Sequence, residues 1–63
     1  MNNEIFANRF KELRLNKGVT QTEISQYLGV TKAAISYYES GRRVPSHSMI
    51  KKIANYFKVP SDY

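Results

Sequence analysis

Residues 20–41 read TQTEISQYLGVTKAAISYYESG, and their pattern decides how the rest of the chain is arranged. Two short helical segments meet at Gly29. Ahead of the first, Thr20 and Glu23 have the T-x-x-E spacing of a capping box, each side chain satisfying the other's free backbone N–H. Val19 and Ile24 flank that box as a hydrophobic staple. Ile24 and Leu28 then share one face, and Gly29 ends the segment, because the left-handed turn needed there is strained for other residues. Thr31 is the expected cap of the second segment, with Val30 and Ile35 as a second staple. Taking 100° per residue from Ile35, Ala34 and Tyr38 point inward. Ala33, Ser36, Tyr37 and Ser40 point outward, Lys32 lies at the margin, and Gly41 closes the helix. A helix that presents donors, acceptors and a methyl group outward, in a basic protein, suits the reading of a DNA groove.

Outside this stretch the pattern stays helical. Asn2 or Asn3 can cap a first helix running from Asn3 to Lys17, with Glu4 in its first turn complementing the helix dipole. Phe6, Phe10 and Leu13 form its apolar stripe, and Gly18 stops it. Pro45 in the RRVP loop disfavours helix at Val44. Ser46 starts a further helix with Ile50, Ile53, Ala54 and Phe57 inward, Met49 beside them, and Lys51, Lys52 and Asn55 toward solvent. Val59 is expected to pack back on the core, and Pro60 prevents continuation. Ser61-Asp62 resembles the capped start of one more helix. The expected fold is all-α: a compact bundle of four helices around a central helix-turn-helix at about 20–40, with a vestigial or truncated fifth helix.

Sixty-three residues make one domain, 1–63, near the lower limit for folding without a staple, and the chain has no cysteine to supply one. Stability therefore has to come from apolar packing and capped helices. Ten Lys and Arg against five Asp and Glu give a net charge of +5, which points to a polyanionic partner. No segment approaches the ~20 apolar residues of a membrane-spanning helix. The start, MNNEIFANRF, lacks the basic end and apolar run of a signal peptide, so a cytoplasmic location is expected. His47 is the single histidine and has no cysteine or carboxylate run beside it, so neither a metal nor a cofactor is expected. No nucleophile–base set or phosphate-cradling glycine loop suggests an enzyme.

Arg14, the run TQTEISQYLGVTKAAIS and the segment ES-G-R-R-V-P together resemble the Xre/Cro-type helix-turn-helix domain of lambdoid phage repressors, over roughly Glu4 to Val59. The chain departs from that pattern at three positions. Ser25 replaces the usual small alanine, and its hydroxyl can bond a carbonyl one turn back. Lys58 stands where a helix-ending glycine is common, at a cost of about 1 kcal/mol if it is left-handed. His47 takes a place often held by an apolar residue.

The resemblance assigns roles. Lys32, Ala33, Ser36 and Tyr37 match the base-facing positions of the recognition helix. Thr20, Gln21, Thr31, Ser40, Arg42 and Arg43 match phosphate-facing positions, and the N–H groups and dipole at a helix N-terminus favour an anion beside Thr20 and Gln21. Arg14 and Glu39 match a salt bridge tying the first helix to the end of the third, expected to be partly buried. The resemblance implies sequence-specific double-stranded DNA binding by a transcriptional regulator, a phage or bacterial repressor, with its third helix in the major groove of a palindromic operator. The family's fifth helix aids dimerisation, so this chain alone is expected to be monomeric, with a homodimer formed through a missing C-terminal region. The alternative is an antitoxin or protein-interaction adaptor built on the same fold.

Overall fold

The computed structural model describes residues 3–59. Four helices succeed one another: α1 (Asn3–Lys17), α2 (Gln21–Leu28), α3 (Lys32–Ser40) and α4 (His47–Phe57). No strand occurs among the described residues. The expected reduced fifth helix at Ser61–Tyr63, the helix stop at Pro60 and the capping of α1 by Asn2 lie outside them.

Local chemistry fixes the helix ends. The hydroxyls of Thr20, Thr31 and Ser46 accept the backbone N–H of Glu23, Ala34 and Met49 at 3.0, 3.1 and 3.2 Å. The Thr20 N–H in turn donates to Glu23 Oε1 at 2.8 Å, completing the capping box. At the C-termini one bond recurs. The N–H groups of Val19, Val30, Arg42 and Val59 donate to the carbonyls of Arg14, Ser25, Tyr37 and Ala54. Each is the six-to-one closure of a Schellman turn, which needs a left-handed residue at its corner. Glycine fills that corner after α1, α2 and α3, but Lys58 fills it after α4, with φ 57° and ψ 47°. Lys58 therefore carries the steric penalty anticipated for it.

The core is built around Phe10, Ile24, Leu28, Ile35, Tyr38 and Ile53, with Phe6, Val30, Met49, Tyr56 and Phe57 packed against it. Phe10 is the hub: its ring lies 5.7 Å from Phe6, 6.3 Å from Tyr38 and 6.1 Å from Phe57, centroid to centroid. Stacked, tilted and edge-on rings at these distances add to the stabilisation from area alone. Ala34 and Tyr38 are buried as the helical phase requires, and Ala7 joins the inner face of α1. Ser25 is buried too, and its hydroxyl donates to the Thr22 carbonyl at 2.7 Å, so this polar side chain sits in the core without an unmet bond. Val59 is half-buried and lines a small apolar cavity with Phe6, Leu13, Ile50 and Ile53, as expected.

Lys51, Lys52 and Asn55 are exposed, as expected. Lys52 does more than face solvent: its ammonium also donates to the Leu28 carbonyl at 3.2 Å. Leu28 is the last residue of α2, where unpaired carbonyls and the negative end of the dipole attract a cation. The long stem lets a residue 24 positions away serve as a C-terminal cap for the first helix of the motif.

Candidate nucleic-acid interface

The position of α3 is set from three sides. Ile35 and Tyr38 sink into the core, the Gly29 turn fixes the approach from α2, and a partly buried ion pair ties α3 to α1, as expected. Arg14 Nε donates to Glu39 Oε2 and Arg14 Nη2 donates to Glu39 Oε1 at 3.2 Å, a bidentate fork. The side chains are only 12% and 5% exposed, so the pair is shielded from solvent. Arg14 Nη1 also donates to the Val19 carbonyl at 3.0 Å, joining the α1–α2 turn to the same network.

Gln21 enters this network as well. Its Nε2 donates to Glu39 Oε1 at 3.1 Å. An amide nitrogen has two hydrogens, so this bond leaves a second donor on Gln21 and fixes which way the amide points. The N–H groups of Gln21 and Thr22, in the first turn of α2, have no place in the helical ladder. With Arg14, Val19, Thr20 and Lys32 they border an open concavity between the end of α1 and the start of α2. Its rim collects a helix N-terminus, an amide donor and a lysine, the donor set an anion requires.

The other side of α3 is open. Lys32, Ala33, Ser36 and Tyr37 are all exposed, and Thr31 and Ser40 stand exposed at its two ends. These small and polar groups form an exposed strip that no other helix packs against among the described residues, and Arg42 and Arg43 come directly after it, both exposed. The hydroxyls differ in what they can offer. Thr20 and Thr31 use their oxygens to accept cap bonds, so each keeps its own proton for donation. Ser40 donates its proton to the Tyr37 carbonyl at 3.1 Å, so it can meet a phosphate only by giving up that bond.

Three contacts of this region have no signature in the sequence: the Gln21–Glu39 bond, the placement of the Arg43 guanidinium 5.3 Å from the Tyr37 ring centre, and the Lys52 cap. Arg9 and Glu12 form a half-exposed ion pair at 3.2 Å on the outside of α1. No group of three or more His, Cys, Asp or Glu residues among those described could hold a metal ion. No helix among them is long and apolar enough to cross a membrane.

Two short capped helices meeting at a left-handed glycine, the second locked inward by a partly buried ion pair and bare outward, define a helix-turn-helix domain. The chain belongs to the helix-turn-helix family HTH_3, which matches residues 10–63. It is 38% identical over 58 residues to the HTH-type transcriptional repressor RghR of Bacillus subtilis (strain 168), covering 90% of this chain and 43% of that protein. It is 35% identical over 57 residues to the HTH-type transcriptional activator BcrR of Enterococcus faecalis, covering 90% of this chain and 28% of the relative. A crystal structure of an HTH_3 family transcriptional regulator from Vibrio cholerae matches with a TM-score of 0.84 at 30% identity, over 97% of this chain and 34% of that one. The chain thus spans less than half the length of these relatives. Transcriptional regulators of this kind are a non-enzymatic class.

Proposed function

We propose that residues 1–63 act as a single double-stranded DNA-binding domain of a bacterial or phage transcriptional regulator. One observation carries this reading: the side of α3 that stays open holds Lys32, Ala33, Ser36 and Tyr37, while its other side is locked in the core and to Arg14. A helix held on one face and bare on the other is what a major groove accepts, with α2 lying across the backbone. Lys32 can donate to guanine O6 and N7 or to a phosphate, and Ala33 can touch a thymine methyl. Ser36 can donate or accept, and the Tyr37 hydroxyl can do either. Thr20, Gln21 and Thr31 meet one phosphate strand and Ser40, Arg42 and Arg43 the other, which positions the domain without reading sequence. The net charge of +5 favours such a partner.

Each copy carries one α3, whereas the half-sites of a palindromic operator lie ~34 Å apart and take one reading helix each. One copy therefore covers one half-site, and a palindromic operator takes two. The greater length of the relatives leaves room for a dimerising segment elsewhere in the full protein, with residues 1–63 alone monomeric and weakly binding. A DNA partner in a bacterial cell implies a cytoplasmic location. The antitoxin or adaptor reading is not favoured, since the relatives are named as transcriptional regulators. Relatives include both an activator and a repressor, so the sign of regulation does not follow from the fold.

Selection from random duplexes with an artificially dimerised form tests the proposal. A two-fold symmetric consensus is expected, and Tyr37→Ala should relax it at one or two positions per half-site by about 1–3 kcal/mol. Recovery of no consensus would refute sequence-specific reading.

A further inference from the structure

Tyr37 stands at a junction between the open face of α3 and the loop behind it. Its backbone carbonyl accepts from Gly41, from Arg42 at 3.0 Å, from Arg43 at 3.4 Å and from the Ser40 hydroxyl at 3.1 Å. This convergence folds residues 41–43 back over the last turn of α3. It brings the Arg43 guanidinium to 5.3 Å from the centre of the Tyr37 ring. That distance is within the range of a cation–π contact, in which the negative face of the ring attracts the cation. The contact uses the π face of Tyr37 and leaves its hydroxyl free. It also leaves the guanidinium edge, with its N–H donors in the plane of the group, free to meet a phosphate.

We infer that Tyr37 is a positioning residue for Arg43: its ring seats the guanidinium for backbone phosphate, separately from any reading done by its hydroxyl. The inference rests on the proposed DNA-binding role and sharpens it by dividing one side chain into two tasks. An arginine in a loop otherwise loses substantial rotamer freedom when it meets a phosphate; held against a ring, it has lost part of that freedom already. The pairing also links the two kinds of contact. A domain whose α3 is not seated in the groove cannot bring the Tyr37 ring, and with it Arg43, to the strand.

The chain as it stands and its Tyr37→Phe and Tyr37→Leu variants separate the tasks, each made with and without Arg43→Ala. Phenylalanine keeps the ring and removes the hydroxyl; leucine removes both. Binding to a random-sequence duplex at about 50 mM salt reads the phosphate contacts alone, because no base preference contributes to the average. Tyr37→Leu is expected to bind about twofold to fivefold more weakly than Tyr37→Phe, the range of an exposed cation–π contact. With Arg43→Ala present, the two should bind equally. In the free protein, the side-chain proton resonances of Arg43 should carry the ring-current shift in the starting chain and Tyr37→Phe, and lose it in Tyr37→Leu. An equal Leu-to-Phe ratio with and without Arg43, or Arg43 resonances indifferent to the ring, would overturn the inference. Failure of the unsubstituted chain to bind any duplex would instead overturn the DNA reading beneath it, while the resonances still report the pairing.

Discussion

Replacing Glu39 by alanine should damage this fold more than any surface change of equal size. Glu39 is 5% exposed and Arg14 12%, so removal of the carboxylate leaves a guanidinium shielded from water with only the Val19 carbonyl as its partner. Breaking a buried pair by removing one member costs about 3–5 kcal/mol, because the remaining charge is uncompensated. A domain of this length has a total stability of about 3–9 kcal/mol, so the substitution removes a third of it at least. At about 4–8 °C per kcal/mol for so small a domain, Tm should fall by more than ~12 °C, or the chain should fail to fold at room temperature. Thermal unfolding followed by circular dichroism provides the measure. Glu39→Gln, which keeps the volume and drops the charge, should sit between Glu39→Ala and the starting chain. The double change Arg14→Met with Glu39→Leu should restore stability, since paired removal leaves no orphaned charge. It should not restore DNA affinity fully, because Gln21 would lose the acceptor that orients its amide. A drop in Tm below about 4 °C for Glu39→Ala would mean that the pair behaves as a surface bridge, and the reasoning would fail.

Other positions test separate parts of the structure. Lys58→Gly should raise Tm by several degrees, because glycine adopts the observed left-handed corner without the penalty of about 1 kcal/mol; an unchanged or lower Tm would show that Lys58 is unstrained. Lys52→Met keeps the apolar stem but removes the donor to Leu28, and should cost about 0.3–1 kcal/mol in denaturant unfolding while leaving the salt dependence of DNA binding untouched. Thr31→Ala should lower stability by about 1 kcal/mol through loss of the α3 cap, and should weaken binding to all duplexes alike.

The helices are legible in the sequence because their ends are written locally. Thr20 with Glu23, Thr31 and Ser46 announce starts, glycines announce stops, and the 100° phase of Ile35 and Tyr38 orients α3 without any knowledge of its neighbours. The strained corner at Lys58 is anticipated only through the family resemblance, which puts a helix-ending glycine at that place. Among polar contacts across the fold, only the Arg14–Glu39 pair is anticipated. Its members are 25 positions apart, and the expectation rests solely on the family resemblance. Gln21 on Glu39 and Lys52 on Leu28 are 18 and 24 positions apart, and no spacing rule signals either. The contact of Tyr27 with Tyr56, at 4.6 Å between ring centres with Lys17 over Tyr56, is hidden for the same reason. Tyr37 with Arg43 is a different case, being close in sequence. Its geometry depends on how the turn at Gly41 folds back, and a residue pattern does not specify that path.

If this domain meets DNA through backbone phosphates on either side of α3, its affinity must depend on salt. A titration of duplex affinity against salt concentration tests that most directly. With Arg42 and Arg43 on phosphates, and Lys32 either on a third phosphate or on a base, log K should fall linearly with log salt at a slope between about −1.8 and −2.7 per copy, at −0.9 per phosphate neutralised. Arg43→Ala should flatten that slope by about 0.9 without altering sequence preference. Absence of binding to any duplex at about 50 mM salt, or an affinity indifferent to salt, would contradict phosphate-mediated binding.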